Sequence, residues 1–191
     1  MDLTVQVTKN ADELFPKELE GDKKHYLISH IDLHGTIHLI FSSALSIRQF
    51  SLSLIQEAVY GQISEKCFQP LMEDDGYLCI IDGVRMGVNS GTLFIFYDEI
   101  PEAQLPNKIF IGKDFKLTQL QTEPFNHQLF LFADSNLYKN HAYLTFPSRK
   151  LMYLFGLDLL HQFIIKGTKQ LQSTELFIPT KGKNIKIQLM Q

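Results

Sequence analysis

Tryptophan is absent from this sequence, and no stretch approaches the ~20 consecutive apolar residues that a membrane-spanning helix requires. Cysteine occurs only twice, as Cys67 and Cys79, in neither a C-x-x-C pair nor a zinc-ligand spacing, which argues against a disulfide framework and a structural zinc site. Each lies among apolar neighbours (Phe68 for one; Leu78, Ile80 and Ile81 for the other), where a reduced thiol serves as a small core hydrophobe. Excess positive charge is lacking as well. With 18 Lys+Arg against 21 Asp+Glu the formal charge is -3, so the chain offers no electrostatic footprint for a phosphate backbone, and nucleic acid is not an expected partner. The most basic stretch, Lys181, Lys183 and Lys186, reads as a solvated strand face.

Catalytic signatures are missing too. There is no H-E-x-x-H and no G-x-S-x-G; Ser90, between Asn89 and Gly91, reads as a hairpin turn. The glycines around Gly83-Val84-Arg85-Met86-Gly87 lack the following helix that would aim backbone N–H groups at a phosphate. The segment Met1-Asp2-Leu3-Thr4-Val5-Gln6-Val7 has no basic region ahead of an apolar one, so the expectation is a cytoplasmic protein without membrane insertion. No internal repeat, low-complexity tract or linker divides the chain. A single domain over 1–191 is expected, with 1–24 a loosely ordered segment after a first strand at 3–7.

What is present suits a packed core. Hydrophobic residues make up 45% and charged residues 20%, inside the globular range. From His25 onward Leu27, Ser29, Ile31 and Leu33 alternate with Ile28, His30, Asp32 and His34, and Ile37, Leu39 and Phe41 continue the alternation past Gly35. This predicts a hairpin over 25–41 in which Leu33 faces Ile37, Ile31 faces Leu39 and Asp32 faces His38. Ser46 followed by Gln49 has the form of a capping box, and Ile47, Phe50, Leu54, Ile55 and Ala58 then recur at helical spacing up to Gly61, giving a helix over about 47–60. Further strands are expected at 77–82, 84–88, 92–97, 108–111, 115–121, 128–132, 142–146 and 184–190, with turns between them. Pro147-Ser148 opens a second helix over about 148–166, apolar around much of its circumference. The fold class is therefore α+β: mainly antiparallel sheet packed with two amphipathic helices.

Three polar clusters are candidates for chemistry. His30, Asp32 and His38 occupy one side of the hairpin, and imidazole with carboxylate is a workable divalent-metal ligand set; the same residues also suit the wet side of an amphipathic hairpin. Glu73, Asp74 and Asp75 before Gly76 lack calcium-loop spacing and read as a solvated turn. Asp134, Asn136 and His141 read as a loop.

The segment Asp75-Gly76-Tyr77-Leu78-Cys79-Ile80-Ile81-Asp82, continuing through Thr92–Tyr97 into Glu99-Ile100-Pro101 and closing with the Leu-rich helix after Ser148, resembles the small acidic chaperones of bacterial secretion systems. The resemblance implies an acidic, mixed α/β protein without enzymatic activity, commonly dimeric, that holds a partner segment on an apolar surface; no cofactor is expected. The present chain is longer, carries an additional hairpin at 25–41 and lacks a clear central helix between its two β regions.

Together these readings favour a non-catalytic adaptor or chaperone-like subunit whose partner is another protein or a second copy of itself. Leu151, Phe155, Leu159 and Phe163 are the expected contacts on the broad apolar surface of the second helix. A metal-dependent enzyme using His30, Asp32 and His38 is the alternative from a different class, and a structural subunit of a larger assembly is a third.

Overall fold

The computed structural model describes residues 3–8, 25–61, 65–68, 80–81, 84–87, 89–97, 105–111, 131–165 and 175–190. The expectations for 9–24, for the acidic turn at 73–76, for Cys79 and for a strand at 115–121 lie outside these residues. In chain order the elements are β1 (Leu3–Gln6), β2 (Leu27–Ile31), β3 (Ile37–Phe41), α1 (Ala44–Tyr60), β4 (Glu65–Phe68), β5 (Ile80–Ile81), β6 (Val84–Arg85) and β7 (Thr92–Tyr97). There follow β8 (Lys108–Ile111), β9 (Phe132–Asn136), β10 (His141–Phe146), α2 (Arg149–Leu160) with a π-helical turn (His161–Ile165), β11 (Glu175–Ile178), β12 (Lys181–Gly182) and β13 (Ile185–Leu189). The fold is α+β.

The β2–β3 hairpin keeps its expected apolar face but not its expected register. Ile31 lies opposite Ile37 and His30 opposite His38, two residues away from the Leu33–Ile37 and Asp32–His38 pairing read from the sequence. The cause is Asp32. Its Oδ1 accepts hydrogen bonds from the N–H groups of His34 and Thr36, both at 2.9 Å, which ends β2 at Ile31 and builds a wider turn closed by Gly35 at φ +79. Leu33 is left in that turn, 88% exposed. Because the shift is by two residues, the side-chain alternation survives: Leu27, Ser29 and Ile31 still face the core with Ile37, Leu39 and Phe41.

The first helix starts a turn earlier than its sequence signal. Ser43, rather than Ser46, is the N-cap. Its Oγ accepts from Ser46 N–H while Ser46 Oγ accepts from Ser43 N–H, each at 3.2 Å, so the capping box is Ser43–Ser46. Gly61 N–H closes the far end on Glu57 O at 2.7 Å. The second helix agrees with expectation: Ser148 Oγ accepts from Leu151 N–H at 3.3 Å, and helical structure runs on to Ile165 through the π turn.

The helices pack with two mixed sheets, in the orders β11-β13-β3-β2 and β12-β9-β10-β7-β4, and there are two-stranded ribbons β1–β8 and β5–β6. Asp134 and Asn136, read as loop residues, belong to β9, where pairing with Tyr143 and His141 of β10 overrides their weak strand preference. Most ladders are antiparallel. The exceptions β3–β13, β7–β10 and β9–β12 are parallel.

The absence of an internal repeat, expected from the sequence, is corrected by this topology. Each sheet takes a hairpin from one half of the chain and two strands from the other: β11-β13-β3-β2 and β4-β7-β10-β9 have the same sequence of antiparallel, parallel and antiparallel ladders. The matching elements stand 105 positions apart: β1 with β8, β2 with β9, and α1 with α2 plus its π turn. At the same interval Leu39, Phe41, Ser43, Phe50, Leu52 and Leu54 recur as Leu144, Phe146, Ser148, Phe155, Leu157 and Leu159. Packing repeats as well. The Phe41 and Phe50 rings lie 5.5 Å apart at 52°, and Phe146 and Phe155 lie 5.3 Å apart at 55°. The similarity escapes a scan for repeats because those six identities are spread over sixteen positions and the intervening residues differ in charge and size.

The pseudo-two-fold relating the halves passes through the helix crossing. Ser51 and Gly156 are counterparts at the 105-residue interval and meet there: a Cβ built on Gly156 would stand 2.8 Å from Ile55 Cγ1 and 2.9 Å from Ser51 O. Gly156→Val is therefore expected to overpack the crossing and cost about 1–3 kcal/mol, measured as a lower urea midpoint at unchanged slope. Ser51→Ala, which removes a buried hydroxyl with no hydrogen-bond partner, is expected to leave the midpoint equal or higher.

Candidate binding surface

In β7 and β10 alternate residues point to opposite sides. Leu93, Ile95 and Tyr97 with Ala142, Leu144 and Phe146 are buried toward the helices. Phe94 and Phe96 with His141 and Tyr143 are left partly exposed on the outer side. The parallel register sets Phe94 beside Tyr143, and their rings stack at 5.2 Å and 11°. His141 meets Phe94 edge-on at 5.3 Å, and Phe96 lies 6.3 Å along the strand. His141 Nδ1 and Tyr143 Oη are within hydrogen-bonding distance at 3.3 Å. Cys67 of β4 is opposite Phe94 and half-buried. Phe132 of β9, opposite Thr145, is 48% exposed. The outer side of this sheet thus carries a cluster of aromatic rings, with His141 and Tyr143 in contact with it and Thr92, Thr145, Asp134 and Asn136 on the same side.

The corresponding side of the four-stranded sheet is an internal control. By strand pairing, Lys186 and Gln188 of β13 hold the seats that Phe94 and Phe96 hold on β7, and His38 holds the seat of Tyr143. Here the side chains are tied to one another. Lys186 Nζ lies 2.9 Å from Glu175 Oε2, Gln188 Nε2 donates to Glu175 Oε1 at 2.7 Å, and Gln188 Oε1 lies 3.3 Å from His38 Nδ1. These contacts hold the Glu175 carboxyl below its ordinary range, first through Lys186 and then through Gln188. The fold accepts charged and amide side chains at these positions, so it does not require Phe94 and Phe96.

Of the residues expected to bind metal, Asp32 and His38 meet, but His30 does not join them in a three-ligand group. His38 Nε2–H donates to Asp32 Oδ2 at 3.1 Å, while the other carboxylate oxygen is taken by the turn. The His30 and His38 rings lie 6.1 Å apart at 48°, and His30, Asp32 and His38 do not form a group that could hold a metal ion. Asp32 organises the turn instead. The expected contacts on the second helix are also placed inside: Phe155, Leu159 and Phe163 are buried, and Leu151 packs partly buried against the same core. Phe155 and its neighbours face α1 and the sheets, leaving no broad apolar face on that helix. Sequence reasoning missed the aromatic surface because Phe94, Phe96 and Tyr143 lie on strands far apart in the chain, and only the β7–β10 pairing brings them together. Their alternation with buried neighbours was the available signal.

No helix among the described residues is long and apolar enough to cross a membrane. No known protein family, curated protein or solved structure matches the chain.

Asp32 has a pH signature. Partial burial works against its charge, but hydrogen bonds from His38, from Thr36 N–H and from His34 N–H, with the charge of His38, outweigh it and lower the carboxyl from 3.8 to about 2. A carboxyl that is more acidic folded than unfolded stabilises the fold above its unfolded value, and that contribution fades as pH falls from 3.8 through about 2. Asp32→Asn should remove this part of the acid dependence, so the difference in urea midpoint between the two proteins is expected to shrink steadily between pH 5 and pH 2. A difference that stays constant over that range would show that the charge of Asp32 does not stabilise the turn.

Proposed function

We propose that this chain is a non-catalytic, cytoplasmic protein-binding adaptor or chaperone-like subunit that receives its partner on the outer side of the β7–β10 sheet. The observation that carries the reading is the contrast between the two related sheets. On central strands, where Lys186 and Gln188 show that polar residues suffice, Phe94, Phe96 and Tyr143 stay partly exposed and stack among themselves. Partly exposed aromatics supply large contact area at small entropic cost, and Tyr and His add directed hydrogen bonds at the edge. The resemblance to small acidic secretion chaperones, which hold a partner segment on an apolar surface, agrees with this reading. The net charge of -3 favours a protein over nucleic acid.

The test compares the tagged chain with a Phe94→Ser/Tyr143→Ser variant and with Lys186→Ala on the related sheet, first by stoichiometric co-purification from the native extract and then by calorimetric titration of the protein so identified. The double variant is expected to keep its far-UV circular dichroism and lose ~2 kcal/mol or more of affinity, about thirtyfold in Kd. Lys186→Ala should bind as wild type. Equal binding by all three proteins would remove the aromatic surface from the function.

A further inference from the structure

The two halves of this chain are related as two protomers of an isologous dimer are. In such a dimer residue i of one subunit meets residue j of the other, and j meets i. The β1–β8 ribbon obeys that rule at the 105-residue interval. Leu3 pairs with Ile111 and Gln6 with Lys108, so each end of one strand meets the counterpart of the opposite end of its own repeat. Ser51 meets Gly156, its own counterpart, at the helix crossing. Neither half owns a sheet. The β2–β3 hairpin is completed by β13 and β11 from the other half, and the β9–β10 hairpin by β7 and β4. The parallel ladders β3–β13, from Ile37↔Ile185 to Phe41↔Leu189, and β7–β10, from Thr92↔His141 to Tyr97↔Phe146, are the two seams. Across them Gln188 reaches His38, and the Phe94 ring stacks on Tyr143.

We propose that each repeat carries a complete interface for the other, so that the chain is a fused pair held together by strand exchange, and covalent continuity between Tyr97 and Leu105 contributes proximity. The surface thus defined is one for a second copy of the same repeat unit, built from two strand seams, a crossed helix pair and an antiparallel ribbon. It concerns how the chain is assembled and is independent of the aromatic surface and its partner.

The experiment uses the full chain. A recognition sequence for a site-specific protease is inserted after Pro101 in one variant and after Gln104 in a second, and each purified, folded protein is compared before and after complete cleavage. The two fragments are expected to co-elute at the volume of the intact chain with unchanged circular dichroism. A short link supplies an effective concentration in the millimolar range. Without it the pair, at about 1 µM, should be about a thousandfold more dissociable, and its urea midpoint should fall with each tenfold dilution while that of the uncleaved protein stays constant. Fragments that separate or precipitate in native buffer would overturn the proposal. So would a cleaved pair whose midpoint ignores dilution, which would mean that the halves fold independently. Failure of both uncleaved variants to fold would show that the connection belongs to the structure and would also overturn it.

Discussion

The close approach of α1 and α2 at Gly156 sets the geometry on which both sheets depend. With a hydrogen in place of a side chain at that point, α2 can rest against the backbone of Ser51 and the side chain of Ile55, and the two helices pack together as a single layer. Their remaining faces then have to be covered from more than one side, which is why both helices are buried around nearly their whole circumference. Phe50 and Phe155 each point from this layer into a ring partner at the end of a strand, Phe41 and Phe146. Hydrophobic burial drives that packing, and it leaves the outer sides of the sheets as the surfaces that can differ without disturbing the core.

Those outer sides have indeed diverged. One is closed on itself by Lys186, Glu175, Gln188, His38 and Asp32, each satisfied by a neighbour. The other presents stacked rings, with His141 Nδ1 within hydrogen-bonding distance of Tyr143 Oη. Two seats in one architecture thus distinguish what folding demands from what it merely permits. The comparison needs no relative of the protein, since the chain contains its own reference.

Much of the fold could be read from the sequence because it is local. The alternation at 92–97, 108–111 and 142–146, and the helical periodicities at 47–60 and after Ser148, lie within or close to the observed elements. What failed was non-local or depended on one side chain. The Asp32 carboxylate, by gathering two backbone N–H groups, moved the hairpin register by two residues. β9 owes its existence to β10 and β12 rather than to its own Asp-Ser-Asn composition. Phe155, Leu159 and Phe163 were read as a surface because a helix that is apolar all round has no sequence feature saying whether a partner or its own domain surrounds it; here the same chain surrounds it. The aromatic surface was invisible for a related reason, since stacking of Phe94 on Tyr143 follows from a parallel ladder that no local pattern announces.

The seams also govern the order in which the molecule can be made. His38 and Gln188, in contact across β3 and β13, are separated by 150 positions. During synthesis the β2–β3 hairpin and α1 emerge long before the strands that flank them. Loop closure over such a span costs entropy before any ladder rewards it. For that interval the apolar side of the hairpin, with Ile37, Leu39 and Phe41, and the unpaired edge of β3 are open to wrong neighbours. On the ribosome the β2–β3 hairpin must wait for β13.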